Sequence, residues 1–260
     1  MNPDLELAQR LADAADAITM RHFRSARLKV ETKPDRTPVS NADREVEQVI
    51  RDQLTAQRPG DAVVGEEYGS SGDSSRRWII DPVDATRNYV RGIPVFATLI
   101  ALEEEGDIRL GVVSAPALGA RWWASRGEGA FAGDRRLQVS RVAGLEDAQL
   151  CYAGLEGWRE AGSLEPLLHL SRRCARSRGF GDFWQHMMVA QGSAEIALES
   201  AASLWDMAAV KVIVEEAGGT FTDLSGSSTA DGGDALSSNG LLHSEVLGII
   251  GRPMPRAVRG

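Results

Sequence analysis

The stretch Trp78-Ile79-Ile80-Asp81-Pro82-Val83-Asp84-Ala85-Thr86-Arg87-Asn88 constrains this chain more than any other. Its apolar start, Trp78 to Ile80, reads as a buried strand that ends at Asp81. Pro82 lacks the N–H that a central ladder needs, so the chain has to turn there. Asp84 then serves as N-cap of a short helix starting at Ala85. Such a strand-to-helix junction collects two carboxylates, Asp81 and Asp84, and the Thr86 hydroxyl. The free backbone N–H groups of Ala85 and Thr86 point out of the helix start, where negative charge is favoured. Hard oxygen ligands beside an anion-binding helix end suit a divalent cation that bridges to a phosphate. A capped turn with ordinary aspartates is the competing reading of the same residues.

At 260 residues the chain has room for one large domain or two packed halves with a full core. Its formal net charge of -8 argues against a nucleic-acid surface and leaves acid in excess that can serve as metal ligands. Cys151 and Cys174 lie far apart without a C-x-x-C pattern, which points to reduced thiols in a cytoplasmic protein, with neither a disulfide frame nor a zinc cluster. The start Met1-Asn2-Pro3-Asp4 shows no basic-then-apolar export signal, and no apolar run approaches the roughly 18 residues of a membrane span.

Taken in order, Leu5 to Phe23 carries apolar residues at helical spacing. Arg27 to Glu31 reads as a short strand, and Lys33-Pro34-Asp35-Arg36-Thr37-Pro38 as an irregular loop. A second helix begins near Ser40, where Ser40-x-x-Asp43 resembles a capping box and gives Asp43 an ordinary structural role. Ala62 to Gly65 is a strand running into Glu66-Glu67, followed by a polar loop over Gly69 to Ser75. Strands are expected over Val95–Glu103, Ile108–Ser114, Arg121–Ala124, Gly129–Phe131 and Leu137–Ser140. Residues 1–145 therefore form a half with two long helices and a largely antiparallel sheet. Residues 146–252 alternate strand and helix: strands near Gln149–Tyr152, Arg176–Arg178, Glu195–Leu198 and Thr220–Thr222, helices near Leu164–Arg172, Phe183–Gln191 and Leu204–Ala217. Gly218-Gly219 caps the last helix, Ser225 to Gly233 is a loop, and residues 253–260 read as a flexible tail.

Three more acids fit the central stretch. Glu66 ends a strand. Asp206, in Leu204-Trp205-Asp206-Met207-Ala208-Ala209, lies in the first turn of an apolar helix, where a capping box with Ser203 is its plain alternative. Asp43 completes the set. Gly65-Glu66-Glu67, Asp81-Pro82-Val83-Asp84-Ala85-Thr86 and Trp205-Asp206-Met207-Ala208-Ala209, in this order, resemble the inositol monophosphatase family of magnesium-dependent phosphatases, over nearly the whole chain. The resemblance implies an α+β / α/β layered sandwich (αβαβα), a homodimer, hydrolysis of phosphate monoesters with up to three Mg²⁺, and inhibition by Li⁺. It implies that Glu66, Asp81 and the Val83 carbonyl hold one cation, that Asp81, Asp84 and Asp206 hold a second, and that Glu66 shares a third through water. Thr86, hydrogen-bonded to Asp43, would orient the attacking water and accept its proton, with Ala85 and Thr86 at the phosphate.

Within the family the chain most resembles actinobacterial histidinol-phosphate phosphatases, through Thr32–Val39, Val90–Val95, Val113–Leu118, Gly181–Phe183 and Ser238–His243. Glu199 falls where the family places a substrate-contacting carboxylate, and Asp182 replaces its small polar residues; both would complement an amine and imidazole. A helix N-cap before Phe183 is the alternative for Asp182. Arg91 reads as a substrate or phosphate contact or a surface residue, and Lys33 as a contributor to the field. An inositol phosphate, a sugar phosphate or a nucleotide is the competing substrate, and a non-catalytic binding protein the competing class. His22, His169, His186 and His243 form no metal-spaced set, and Trp122, Trp123, Trp158 and Trp184 read as core or interface. The family carries Gly where Ala85 stands. If φ there is positive, the methyl group costs roughly 1 kcal/mol or more; if the residue is helical, it costs little.

Overall fold

A computed structural model describes residues 2–34 and 36–251. The first periodic stretch forms α1 (Pro3–His22), capped by the Asn2 side chain on the Asp4 N–H, with Leu5, Leu7, Leu11, Ala15 and Ile18 on its buried face. The first strand falls later than Arg27–Glu31: β1 (Val30–Thr32) pairs antiparallel with β2 (Pro38–Ser40) across the proline loop. In α2 (Asn41–Gln57) the Ser40–Asp43 capping box is formed, and Val46, Ile50 and Leu54 turn inward. Then come β3 (Ala62–Gly65) and β4 (Gly69–Ser71), the latter out of the stretch expected to loop. They are followed by β5 (Arg76–Asp84), α3 (Thr86–Val90), β6 (Ala97–Glu104), β7 (Asp107–Ala115), β8 (Ala120–Ser125), β9 (Gly129–Ala132) and β10 (Arg135–Arg136).

Leu137 to Ser140 is not a strand. Its N–H groups go to two different elements, Leu137 to the Ala130 carbonyl at 2.8 Å and Val139 to the Ala217 carbonyl at 3.1 Å, so no ladder forms. The remainder comprises β11 (Gln149–Tyr152), α4 (Leu155–Glu160), α5 (Leu164–Arg173), β12 (Arg176–Arg178), α6 (Asp182–Ala190), β13 (Ile196–Glu199), α7 (Leu204–Glu216), β14 (Thr220–Thr222), β15 (Ala235–Ser238) and α8 (His243–Ile250). The sequence reading lacks α4, β15 and α8. The expected glycine cap is present: Gly218, at φ +89°, donates to Glu215 O and Gly219 donates to Val214 O. The tail expected over 253–260 and Asp35 of the loop lie outside the described residues.

The strands form two large sheets. One has the order β10-β9-β8-β7-β6-β5-β3-β4 and is antiparallel except between β3 and β5; the other has the order β12-β11-β13-β15-β14. Helices α1 and α2 cover the outer face of the first sheet through Trp78, Ile80, Ile100, Leu102 and Leu110. Helices α6 and α7 lie between the sheets, and α4, α5 and α8 close the second around Trp158, Leu167 and Val246. This is the αβαβα sandwich. Helix α7 is apolar around most of its circumference because both its flanks meet sheets. It sits on a floor of small cross-strand neighbours, Ala101, Gly111 and Ala124. A Cβ at Gly111 would lie 2.7 Å from the Ala209 carbonyl oxygen, so the helix rests on bare backbone. No described helix is long and apolar enough to cross a membrane.

Candidate active site

Strand β5 does not stop at Asp81. It runs through Pro82 to Asp84, and its pairing with β6 loses register between Asp81 and Asp84. The irregularity is what admits Pro82, which needs no ladder donor there. Within it the Val83 N–H turns back onto Asp81 Oδ1 at 3.0 Å, and Thr98 Oγ1 donates to the Pro82 carbonyl at 2.8 Å.

Asp84 is therefore not the helix cap. Ala85 occupies that position, with φ +62° and ψ +43° and no side-chain cap, and the helix begins at Thr86. Freed from capping, Asp84 Oδ2 accepts the Phe183 N–H at 2.8 Å, which ties the β5 junction to the start of α6.

Asp206 arrives from α7. Its Oδ2 takes the Ser203 N–H at 2.7 Å, so the capping box is real, yet it spends only one oxygen. Asp81, Asp84 and Asp206 each offer a ligand atom, all within 4.8 Å of one another. Asp43 is shared in the same way: Oδ2 accepts from Ser40 N (3.0 Å) and Ser40 Oγ (2.5 Å), while Oδ1 faces Thr86 Oγ1 at 3.3 Å. Thr86 Oγ1 also lies 2.9 Å from the Val83 carbonyl. In both helices the capping box leaves one carboxylate oxygen over for another partner.

Burial, then repulsion from Glu66, Asp84 and Asp206, pushes the Asp81 carboxyl well above its ordinary range. Burial, then Asp182 and Asp206, does the same to Asp84. Burial also raises Asp206 to about 6, with Glu66 and Asp182 adding to it against hydrogen bonds that lower it. Acids crowded so tightly need a positive partner, and an all-oxygen donor set fits a hard divalent cation. Zinc and copper sites would call for the nitrogen or sulfur donors lacking in this group.

Glu66 lies beyond the end of β3, and Lys33 Nζ bridges it at 2.8 Å and Glu67 at 2.6 Å. Partial burial works against the Lys33 ammonium, but these two carboxylates outweigh it and hold its pKa above the ordinary lysine value. The turn that carries them is fixed from below by Glu47 of α2. Fully buried, Glu47 accepts the Glu67 N–H (2.7 Å) and the Tyr68 N–H (3.2 Å) and pairs with Arg51 Nε at 2.8 Å. A side chain at Gly65 would collide with that carboxylate.

A cavity of about 280 Å³ opens over the carboxylates, walled by Glu66, Asp81, Val83, Asp84, Ala85, Thr86, Asp182 and Asp206. The structure thus gathers the expected metal and phosphate residues. Asp43 stands behind Thr86. Asp182 is on the wall but is not an N-cap: it is the first residue of α6, at φ +55°, with Gly181 before it and no side-chain cap. Burial raises its carboxyl to about 6, against the pull of Arg87. The two other expected substrate contacts are, like Asp43, not on the wall. Glu199 is 6% exposed and accepts the Asp182 N–H at 3.0 Å from behind, and Arg91 is an exposed residue at the end of α3. Arg87, Asn88, Thr37 and Pro38 line the cavity and were missed. The signal for Arg87 was its place one residue after Thr86.

His186 is wholly buried on Ser237, His243 bridges Thr222 and Ser238, and no histidine joins the acidic group among the described residues. Both cysteines are free.

Two buried carboxylates at a strand-to-helix junction and a half-buried third from a helix, set in an αβαβα sandwich, are the arrangement of a metal-dependent phosphomonoesterase. The chain belongs to the inositol monophosphatase family, whose model matches residues 1–252. It is 55% identical to a histidinol-phosphatase of Streptomyces coelicolor, over 95% of this chain and 96% of that one. It is 50% identical to a histidinol-phosphatase of Mycobacterium tuberculosis, over 94% and 96%. Among solved structures, a Thermotoga maritima IMPase superposes with a TM-score of 0.86 at 32% identity, over 95% of this chain and 96% of that one.

Proposed function

We propose that this chain is a Mg²⁺-dependent phosphatase that hydrolyses L-histidinol phosphate to L-histidinol and inorganic phosphate, a step of histidine synthesis. The observation that carries the reading is the near-full-length identity to two histidinol-phosphatases. The cavity supports it. Asp182 stands on the same wall as the carboxylate triangle and offers a negative group to the substrate's amine while the phosphate faces the cations.

Glu66, Asp81 and the Val83 carbonyl would hold one cation, Asp81, Asp84 and Asp206 a second, and Glu66 a third through water. When bound, the metals polarise the phosphoryl group and acidify a bound water. The remaining work falls to this chain's residues. Thr86 has one proton and two acceptors in reach, Val83 O and Asp43 Oδ1. Donated to Asp43, that proton leaves an Oγ1 lone pair to orient the attacking water and take its hydrogen. Burial raises the Asp43 carboxyl above its ordinary range, against the hydrogen bonds it accepts from Ser40. Ala85 and Thr86 lie against the phosphate oxygens.

The reading extends to inhibition by Li⁺, a homodimer and a cytoplasmic location, each checked directly by inhibition curves, light scattering and fractionation. The deciding experiment is phosphate release from histidinol phosphate, inositol 1-phosphate and glycerol 2-phosphate, with and without Mg²⁺. Histidinol phosphate should give the highest kcat/KM, and only with the metal. Preference for either other ester would defeat the substrate assignment.

A further inference from the structure

The entry into α6 is held in an unusual way. Gly181 and Asp182 are both left-handed, at φ +74° and +55°, a conformation an aspartate adopts at a cost. Three successive N–H groups there donate to three side chains from three elements. Gly181 N–H goes to Gln185 Oε1 at 3.3 Å, Asp182 N–H to Glu199 Oε1 at 3.0 Å, and Phe183 N–H to Asp84 Oδ2 at 2.8 Å.

Gln185 is the piece that closes this arrangement. It is 0% exposed, and its amide nitrogen donates both to Glu199 Oε1 and to the Leu198 carbonyl, the latter at 3.1 Å. One side chain thereby holds the glycine before Asp182 and the carboxylate beneath Asp182. No water or substrate is needed to complete the set. A helix interior ordinarily buries an apolar residue at such a position, whereas this wholly buried amide ties the Gly181–Asp182 turn to the end of β13, where Glu199 receives the Asp182 N–H.

We infer that Gln185 is a positioning residue for substrate selection: it fixes the strained Gly181–Asp182 turn so that the Asp182 carboxylate stands at the cavity wall, where it meets the substrate's cation. Glu199 serves the same turn from below. The inference rests on the histidinol phosphate reading. It differs from it in placing selectivity on a residue that touches neither substrate nor metal.

The test compares wild type, Gln185→Met, Gln185→Asn, Asp182→Asn and the double variant Gln185→Met/Asp182→Asn, on histidinol phosphate and on glycerol 2-phosphate, whose alcohol is neutral. Methionine keeps the volume and loses every hydrogen bond; asparagine stays polar but falls a methylene short. For Gln185→Met, KM for histidinol phosphate should rise about 10-fold, as expected when a binding group is misplaced, with kcat and the glycerol phosphate constants within about twofold. Gln185→Asn should move in the same direction by less. Because Gln185 acts through Asp182, the double variant should be no worse than Asp182→Asn alone. Equal losses on both esters, an unchanged KM, additive losses in the double variant, or failure of both Gln185 variants to hydrolyse either ester would each overturn the inference. A wild type active on histidinol phosphate separates that failure from failure of the function itself. An inactive one overturns both.

Discussion

Replacing Ala85 by glycine should make the protein more stable, although it puts the most flexible residue into an active site. Ala85 sits at φ +62° and ψ +43°, where an L-residue's Cβ crowds the following carbonyl at a cost of about 1–2 kcal/mol. Glycine escapes that cost but brings about 0.4–1 kcal/mol of extra chain entropy to the unfolded state. The net gain is about 0.5–1 kcal/mol. With a folding entropy of about 2.1 cal/mol/K per residue over 260 residues, it becomes a rise in Tm of about 1–2 °C. The assay is thermal unfolding by circular dichroism, with Glu105→Gly as control. Glu105 is also left-handed, at φ +54°, but it is exposed in the turn between β6 and β7, so it should gain similarly with no kinetic effect. For Ala85→Gly, kcat should be equal or higher, since losing the methyl group lets the phosphate approach more closely. A Tm that stays level or falls while the control rises would refute the strain argument. A large loss of kcat would show that the methyl group shapes this site.

Asp81→Asn, Asp84→Asn or Asp206→Asn should each reduce turnover by more than the roughly 100-fold that losing an outer partner of a metal site costs. Each should also raise the Tm of the metal-free protein by relieving carboxylate repulsion, while calorimetry shows weakened Mg²⁺ binding. Glu47→Leu leaves Arg51 without its buried partner and two amides without an acceptor, so it should cost about 3–5 kcal/mol in urea unfolding and weaken Mg²⁺ binding through Glu66; Glu47→Gln should cost much less. His186 is buried neutral, its pKa lowered to about 3 from 6.5 by desolvation. The unfolded chain takes up a proton below pH 6.5 that the folded chain refuses until about 3, so stability is lost as pH falls through that window. Wild type should therefore lose about 1.4 kcal/mol more per pH unit than His186→Gln across the middle of the window, as read from urea midpoints. Parallel curves would place the histidine elsewhere than in a dry site.

Much of this was readable in the chain because it is local. The spacing of Leu7, Leu11, Ala15 and Ile18 writes α1, and Ser-x-x-Asp writes two helix starts. The separate stretches around Glu66, Asp81 and Asp206, grouped in the sequence through the family resemblance, line one cavity in the structure. What could not be read depends on partners distant in sequence. The register loss that carries β5 past Pro82 is a property of its pairing with β6, and with it went the direction of Asp84 and the backbone of Ala85. Glu199 has the chemistry of a substrate ligand, but the left-handed turn at Gly181 and Asp182 aims an amide at it. Arg87 lies on a helix of five residues, too short for periodicity to show which way it faces. Ala235–Ser238 has no β-branched residue, and only its place between β13 and β14 makes it a strand.

The bare backbone beneath α7 gives the carboxylate triangle a built-in ruler. Two corners, Asp81 and Asp84, belong to the sheet, and the third, Asp206, rides on the helix. The gap between them is therefore set by how deeply the helix settles, and Gly111 sets that depth without touching a ligand. One methyl group at Gly111 would lift the helix and widen the triangle, and a small octahedral ion tolerates such widening far less than a larger, more permissive one. A glycine on a neighbouring strand thus bears on the spacing of three carboxylates that it never touches.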